Sequence, residues 1–249
     1  LDPSPPGSSR CDHTLDVSGM EPMQIRLSGD RMLIVELGDG IDPALNDRVQ
    51  SLAVLIRAAE HPAVEAVVPS YRTLALYYDP ERITWKELTD LLFSCERRAT
   101  TKKRPDSRVV EIPVCYGGAF GPDLGTVAAC AGLGMEEVIR LHCTPLYRIY
   151  ALGFAPGFCY LGGLDPRIHT PRLTAPRVLV PAGSVGIAGA QTGVYPLPSP
   201  GGWQLIGRTP LQLFVPDRSP PVPYRPGDTI RFLPISAEEF ARLSTEQGR

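Results

Sequence analysis

The fold of this chain is decided by two glycine-rich stretches, YRIYALGFAPGFCYLGGLD at residues 147–165 and VPAGSVGIAGAQTGVYPLPSPGGWQLIGRTPLQLF at residues 180–214. Glycine permits positive φ and close backbone approach, whereas proline fixes φ and removes a hydrogen-bond donor, so the pattern specifies tight turns between short strands. The spacing of the turns predicts a small β-barrel. Its predicted strands are residues 177–181, 184–189, 194–198, 203–207, 211–214 and 229–234.

Composition narrows the class of partner. The 249 residues carry a formal net charge of −2 at pH 7, so no global basic field attracts nucleic acid or acidic membranes. No apolar run approaches the ~18 residues of a membrane span, and the first residues lack the apolar core of a signal peptide. We therefore expect a cytoplasmic protein whose partners are small molecules or other proteins.

The first half of the chain has the pattern of an α+β domain. Asp42 followed by Pro43 caps one helix, and Thr84 with Glu87 forms a capping box for a second. The predicted strands are residues 31–37, 64–69 and 73–79. The resulting order β, α, β, β, α is that of a split βαβ, or ferredoxin-like, unit.

The second half begins with further strand and helix patterns before the glycine-rich stretches. We predict strands at 109–116 and 146–153, helices at 122–131 and 135–143, and a C-terminal helix from the capping box at Ser236 through Leu243. Residues 100–108 are polar and read as a linker. The predicted domains are a disordered tail at 1–22, an N-terminal α+β domain at 23–103, a barrel domain at 104–235, and a short helix and tail at 236–249.

Catalytic motifs are weak in this sequence. Ser184 lies in AGSVG at residues 182–186, which departs from the G-x-S-x-G elbow, so it is a weak candidate nucleophile and a better hydroxyl donor to a ligand. His142 ends a helical pattern and is a weak candidate general base, with capping or packing as the alternative. The cysteines and histidines lack metal-ligand spacing, and residues 186–193 lack the lysine of a phosphate loop. We therefore expect no metal site and no nucleotide phosphate cradle.

Polar and aromatic residues of the second stretch are candidates for substrate binding. Gln191 and Thr192, between glycines, suit the orientation of a small polar ligand, and a structural turn is the alternative. Arg208 suits a carboxylate or phosphate, and a solvated surface arginine is the alternative. The aromatic residues would either stack a planar ligand or form the barrel core, with the core favoured. They are Phe154, Phe158, Tyr160, Tyr195 and Trp203.

Several motifs resemble a known family. They are VCYGGAFGPDL, LGFAPGFCYLGGLD, TPR, VPAGSVGIAGAQTGVYP, SPGGWQLIGRTP and RPGDTIRF, with GDRMLIVELGD and VVPSYRTLALYYDP in the first half. Together, over about residues 25–235, they resemble the B subunit of 5-oxoprolinase, also described as allophanate hydrolase subunit 1 or the KipI kinase-inhibitor type. The chain departs from the family pattern at Ala119, where an acidic residue is usual, and at Cys159, where proline is usual. Both departures bear on the fine shape of a pocket.

The resemblance implies a fold, a reaction and partners. It implies an N-terminal α+β domain followed by a cyclophilin-like barrel, within an ATP-dependent complex that hydrolyses 5-oxo-L-proline to L-glutamate. The implied partners are a related barrel-fold protein, the C subunit of 5-oxoprolinase, and an A subunit of the LamB/YcsF type. ATP is used by the complex, and this chain shows no clear ATP, metal or biotin site of its own. We expect the chain to be inactive alone.

The glycine-rich face is expected to join the partner barrel in a shared pocket. The expected substrate-binding residues are Phe154, Ser184, Gln191, Thr192, Tyr195, Trp203 and Arg208. Two other functions stay open at this point. One is inhibition of a sensor histidine kinase, and the other is a carboxyltransferase-type role in a urea carboxylase or allophanate hydrolase system.

Overall fold

The computed structural model describes residues 23–40, 42–99 and 107–247. The chain divides into two compact units, Leu1–Arg104 and Pro105–Arg249, each with a hydrophobic core of its own. The predicted tail at 1–22 and most of the predicted linker lie outside the described residues. The domain boundaries therefore stay predictions.

The first unit is an antiparallel four-stranded sheet with two helices. Its strands are β1 (Gln24–Leu27), β2 (Met32–Glu36), β3 (Val64–Pro69) and β4 (Thr73–Tyr78), and its helices are α1 (Pro43–Ala58) and α2 (Trp85–Ala99). The strand order is β1-β2-β4-β3, so β4 lies between two strands that α1 connects. This is the split βαβ arrangement that the sequence predicts. The sequence pattern misses β1, a short and mostly exposed edge strand.

Side chains cap both helices as predicted. Asp42 Oδ1 accepts hydrogen bonds from the backbone N–H groups of Ala44 (2.8 Å) and Leu45 (3.0 Å) at the start of α1. The capping box of α2 is reciprocal, because Glu87 Oε2 accepts from the Thr84 N–H (2.9 Å) while Thr84 Oγ1 accepts from the Glu87 N–H (3.3 Å). The starts of both helices are thus encoded locally.

A buried ion pair joins the two helices of the first unit. Arg48 Nε on α1 donates to Glu96 Oε1 on α2 at 2.6 Å, and Arg48 Nη1 donates to the Leu37 carbonyl at 3.2 Å. Both side chains are almost completely buried. Because removing one partner leaves an uncompensated buried charge, the pair fixes how the helices pack.

The second unit is built on a closed barrel. Its strands are β5 (Val109–Tyr116), β6 (Tyr147–Leu152), β7 (Cys159–Gly162), β8 (Arg177–Val180), β9 (Ser184–Ala188), β10 (Gln191–Val194), β11 (Ser199–Gly201), β12 (Gln204–Arg208) and β13 (Thr229–Pro234). The barrel order is β10-β7-β6-β13-β5-β12-β9, closed by pairing of β9 with β10. β5 and β13 run parallel, whereas β8 and β11 form a separate two-stranded ribbon. The barrel confirms the predicted fold class.

The helices of the second unit are α3 (Leu124–Ala131), α4 (Met135–Cys143) and α5 (Ala237–Gln247), with a 3₁₀ turn at Pro166–Ile168. α5 runs past the predicted end at Leu243. At its start Ser236 Oγ accepts from the Glu239 N–H (3.2 Å), but the Glu239 carboxylate bonds to Arg242 at 2.6 and 2.9 Å. Only half of the predicted capping box therefore forms, and the carboxylate stabilises the helix surface instead.

Two predicted strands are wrong. In 194–198 only Val194 belongs to a strand, the end of β10, and the prolines that follow cannot donate to a ladder. Residues 211–214 form a loop in which Leu213 packs into the core without strand pairing. The sequence pattern also misses three short strands, β7, β10 and β11, because their few residues show no sustained alternation of apolar and polar side chains.

The barrel wall formed by β9, β10 and β12 has two faces. Val185, Ile187 and Ile206 belong to the principal core inside the barrel, whereas Ala188 and Leu205 belong to a separate aromatic cluster. Successive side chains of a strand project to opposite sides. We call the side of Val185 and Ile187 the inner face and the side of Ala188 and Leu205 the outer face.

Candidate functional site

A directed chain of hydrogen bonds crosses the inner face at His142, near the end of α4. The His142 Nδ1 accepts from the Tyr116 hydroxyl, and its Nε2 donates to Thr192 Oγ1, both at 2.8 Å. The direction follows because Thr192 donates its only hydroxyl proton to the Gly186 carbonyl at 3.0 Å. The Cys143 thiol in turn donates to the Tyr116 oxygen at 3.4 Å. Both ring nitrogens of His142 are therefore occupied.

Burial makes His142 a weak base. The side chain has no exposed surface, and its ring stacks on Phe232 with 4.6 Å between centroids. Desolvation disfavours the charged imidazolium and lowers the pKa of His142 from 6.5 to about 3. The ring is neutral at pH 7 and has no free nitrogen to accept a proton. This geometry favours the packing alternative over the catalytic one.

On the outer face, Ser184 and Arg208 lie opposite each other. They are direct partners in the antiparallel ladder of β9 and β12, and directly opposed residues project from the same side of a sheet. Ser184 has no exposed surface, and its Oγ has no hydrogen-bond partner among the described residues. The Nε of the half-buried Arg208 is also buried without a partner there. Two unsatisfied polar groups thus lie side by side.

Gly183 makes room for the Arg208 side chain. A Cβ at Gly183 would lie 2.3 Å from the Thr209 carbonyl oxygen and 3.3 Å from Arg208 Cγ, and its φ is +78°. Glycine meets both requirements because it lacks a Cβ and tolerates positive φ. The guanidinium carbon of Arg208 lies 5.9 Å from the centroid of the Phe120 ring, within range of a cation–π contact.

A glycine turn leads from β5 to Phe120. Gly117 and Gly118 have φ of +71° and +51°, and the Gly117 N–H donates to the Ile206 carbonyl at 3.0 Å, which ties the turn to β12. Gly118 and Ala119 are exposed, and their N–H groups make no backbone hydrogen bond in the described part of the chain. The turn offers two free amide donors next to Phe120 in the chain.

Sequence reasoning missed Cys115 and Phe120. Cys115 on β5 is the ladder partner of Arg208 on the side away from Ser184, so Ser184, Arg208 and Cys115 form a row across three strands. Burial, and then the charge of Glu238, raise the pKa of the Cys115 thiol, which stays neutral at pH 7. The available signal was position, since the two missed residues are the first and the last of CYGGAF, which has a glycine pair at its centre.

The structure does not bring all the predicted polar residues together. Thr192 lies on the inner face within the buried network. Gln191 pairs with Ala188, four residues along β9 from Ser184, which corresponds to about 13 Å at the usual rise per residue. Of the four predicted polar groups, only Ser184 and Arg208 are ladder partners on the same face.

The predicted aromatic residues mostly form a core. Phe158 makes edge-on contacts with Tyr195 (5.5 Å between centroids) and Trp203 (5.6 Å), and all three side chains are buried. Phe154 is 65% exposed, has φ of +69°, and meets the Phe158 ring at 5.5 Å. The core alternative therefore describes Tyr195 and Trp203, whereas Phe154 stays accessible to a ligand or partner.

Within the described residues, no group of three or more His, Cys, Asp or Glu side chains is placed to hold a metal ion. None of the described helices combines the length and apolar character needed to cross a membrane. Cys159, which departs from the family pattern, is fully buried, and burial raises the pKa of its thiol to about 11. It is therefore not a thiolate nucleophile at neutral pH.

The sequence comparisons bear on this barrel and its companion unit together. A family model described as "Carboxyltransferase domain, subdomain C and D" matches residues 23–224. The chain is 42% identical to the B subunit of 5-oxoprolinase from Bacillus subtilis (strain 168) over 236 residues, which cover 90% of this chain and 98% of that protein. The chain belongs to the family of 5-oxoprolinase B subunits. The resemblance indicated by the motifs is confirmed.

Solved structures show the same fold within longer proteins. The sequence of TTHA0988, whose crystal structure is known, is 43% identical to this chain, and the two structures match with a TM-score of 0.75. The match covers 84% of this chain but only 40% of the TTHA0988 chain. The urea carboxylase of Kluyveromyces lactis is 20% identical with a TM-score of 0.73, covering 95% of this chain and 24% of that one. At this lower identity the likeness concerns the fold alone. This member of the 5-oxoprolinase B family thus has the fold of a segment found in larger chains.

Proposed function

We propose that this chain is a non-autonomous subunit of an ATP-dependent 5-oxoprolinase complex that opens 5-oxo-L-proline to L-glutamate. The observation that carries the proposal is the 42% identity to the Bacillus subtilis 5-oxoprolinase B subunit along 98% of that protein. Because the match extends over nearly the whole relative, it supports a common role as well as a common domain.

The chemistry of the described residues supports a contributing role better than that of a complete enzyme. Opening a lactam needs an activated nucleophile, proton transfer and stabilisation of developing charge. Ser184 has no base within hydrogen-bond distance, and His142 is buried on the other face with a pKa of about 3. Arg208 and Ser184 can supply positive charge and hydrogen-bond donors. The nucleophile and the proton acceptor would come from partner subunits.

The proposed partners are the barrel-fold C subunit of 5-oxoprolinase and an A subunit of the LamB/YcsF type. The outer-face pair Ser184 and Arg208 would border a pocket shared with the partner barrel, with the exposed Phe154 as a further contact. Thr192 is reassigned to the structural network of the inner face, since it bonds to His142 and Gly186. ATP is used by the complex, and this chain alone is inactive.

The test is reconstitution. Glutamate release from 5-oxoproline with ATP is measured for this chain alone, for the two partner subunits without it, and for all three together, with ADP release followed in parallel. We expect glutamate and ADP to appear together only in the complete mixture. Equal activity without this chain would contradict the proposal and would make inhibition of histidine kinase autophosphorylation the next function to assay.

A further inference from the structure

Among the described residues, Arg208 lacks the carboxylate partner that a comparable arginine of the same unit has. Arg177, whose side chain is 28% exposed, donates to both Asp123 carboxylate oxygens at 2.7 and 2.8 Å. Arg208 makes no ion pair or hydrogen bond within residues 107–247, and its Nε is buried. A buried donor without an acceptor destabilises the fold, because it has lost its hydrogen bond to water and gained none in return. An acceptor from outside the chain would remove this penalty.

Ser184 is a second, independent group of the same kind. It is completely buried, its Oγ lacks a partner in the described structure, and it lies directly across the ladder from Arg208. A serine hydroxyl donates one hydrogen bond, and a guanidinium offers several in one plane. The two side chains therefore present donors and one positive charge to the same side of the sheet.

No carboxylate among the described residues forms an ion pair with Arg208. Cys115, on the other side of Arg208, is kept a neutral thiol by burial. The charge of the Glu238 carboxylate, on α5, also raises the pKa of that thiol. A hydrogen bond from Ser236 lowers the pKa of Glu238. Glu238 forms no ion pair with Arg208 among the described residues. The aromatic contact with Phe120 at 5.9 Å is a weak substitute for an anion.

We propose that Arg208 and Ser184 form a subsite for the anionic oxygens of a carboxylate or phosphoryl group. A planar guanidinium binds two such oxygens in parallel, and the Ser184 hydroxyl adds a third donor. The inference rests on the proposed function, in which two compounds carry such groups. One is 5-oxoproline, through its carboxylate, and the other is ATP, through its phosphates.

The first experiment measures binding to the full-length chain. Backbone amide signals of ¹⁵N-labelled protein are followed during titration with 5-oxoproline, with its carboxamide, and with inorganic phosphate. We expect shifts at Ser184 and Arg208 with the two anions, and none with the uncharged carboxamide. The shifts should vanish in Arg208→Gln and persist in Arg231→Gln, a matched control that removes an exposed arginine on β13 paired with Glu111.

The second experiment identifies which anion occupies the subsite in the assembled complex. Arg208→Gln should raise one Michaelis constant by about 10- to 100-fold, as expected for losing a charge-assisted bidentate contact. A rise in KM for 5-oxoproline assigns the carboxylate, and a rise in KM for ATP assigns a phosphate. Arg208→Lys keeps the charge and the stem and should give an intermediate value, which separates ligand loss from misfolding.

The outcomes separate this inference from the proposed function. The subsite would be overturned if Arg208→Gln and Ser184→Ala both kept the anion-induced amide shifts and the KM values of the unaltered chain. The need for this chain in glutamate release would still stand. If glutamate forms without this chain but the anion titrations still map to Ser184 and Arg208, the proposed function fails and the subsite holds.

Discussion

The two faces of the wall formed by β9, β10 and β12 treat buried polar groups differently. On the inner face, Thr192 and His142 are completely buried and each polar atom of their side chains is hydrogen-bonded. On the outer face, Ser184 is equally buried and has no partner among the described residues. Because the inner set and Ser184 are equally buried, burial does not distinguish groups that stabilise the fold from groups that bind a ligand. Their hydrogen bonding differs, and on that basis we propose a structural role for the inner set and a binding role for the outer pair.

The largest effect should come from breaking the inner network at its centre. His142→Ala removes the ring and leaves the Tyr116 and Thr192 hydroxyls short of a partner. We expect a loss of about 4 kcal/mol in the free energy of unfolding, from the cavity and the unsatisfied groups together. Urea denaturation measures it, with the exposed His169→Ala as a control that should lose less than about 1 kcal/mol. Equal losses in the two variants would contradict the structural role.

The next effect tests the backbone beneath the outer pair. At Gly183, with φ of +78°, a Cβ would meet the Thr209 carbonyl oxygen at 2.3 Å, so Gly183→Ala must displace backbone. Gly189 has φ of +58° and open space around it. We expect Gly189→Ala to lose about 1 kcal/mol from the positive φ alone, and Gly183→Ala to lose about 2 kcal/mol more. Thermal unfolding of both variants checks the difference. Similar losses would mean that the close approach of the Thr209 carbonyl to Gly183 does not affect stability.

The inner network should also make stability depend on pH. The pKa of His142 is about 3 in the folded chain against 6.5 for the free side chain, so the unfolded chain binds a proton first. The contribution of neutral His142 to the free energy of unfolding is therefore complete above pH 6.5 and falls as the pH drops towards 3. The loss between pH 7 and pH 5 is about 2 kcal/mol. Urea midpoints across this range measure the effect. A His142→Leu variant should lack this part of the slope, and an identical slope would show that other groups cause it.

A smaller loss should follow from removing one hydroxyl of the inner network. Thr192→Val keeps the shape of the side chain but leaves the His142 Nε2–H without its acceptor and removes one donor from the Gly186 carbonyl. We expect a loss of about 1–2 kcal/mol with no change in KM for either substrate. Thr229→Val on β13 is the control, because its long 3.3 Å bond to the Arg108 carbonyl is exposed. A changed KM in Thr192→Val would place Thr192 back in the binding site.

Local signals made much of the fold predictable. Asp42 and the pair Thr84 and Glu87 cap helices through contacts within three residues, so their roles follow from adjacent sequence. The strand Gln191–Val194 could not be recognised, because glycine and polar residues leave no apolar alternation. Packing in the closed barrel, a nonlocal effect, makes it a strand.

The same difficulty limits the prediction of the site. Gln191 and Thr192 are adjacent in sequence and so suggest a pair, but neighbours on a strand point to opposite faces. The register that sets Ser184 against Arg208 depends on a bulge between Leu205 and Gly207, which no local pattern specifies. Residue types could therefore suggest Ser184 and Arg208, while only the ladder shows that they are partners.

The most direct test of the difference between the two faces is one variant measured in two ways. For Ser184→Ala, the free energy of unfolding and the Michaelis constants of the reconstituted complex are determined on the same preparation. We predict stability unchanged or up to about 1 kcal/mol higher, because an unsatisfied buried hydroxyl is removed, together with a raised KM for 5-oxoproline or ATP. A clear loss of stability with both KM values unchanged would contradict this prediction, and would make Ser184 part of the fold like Thr192.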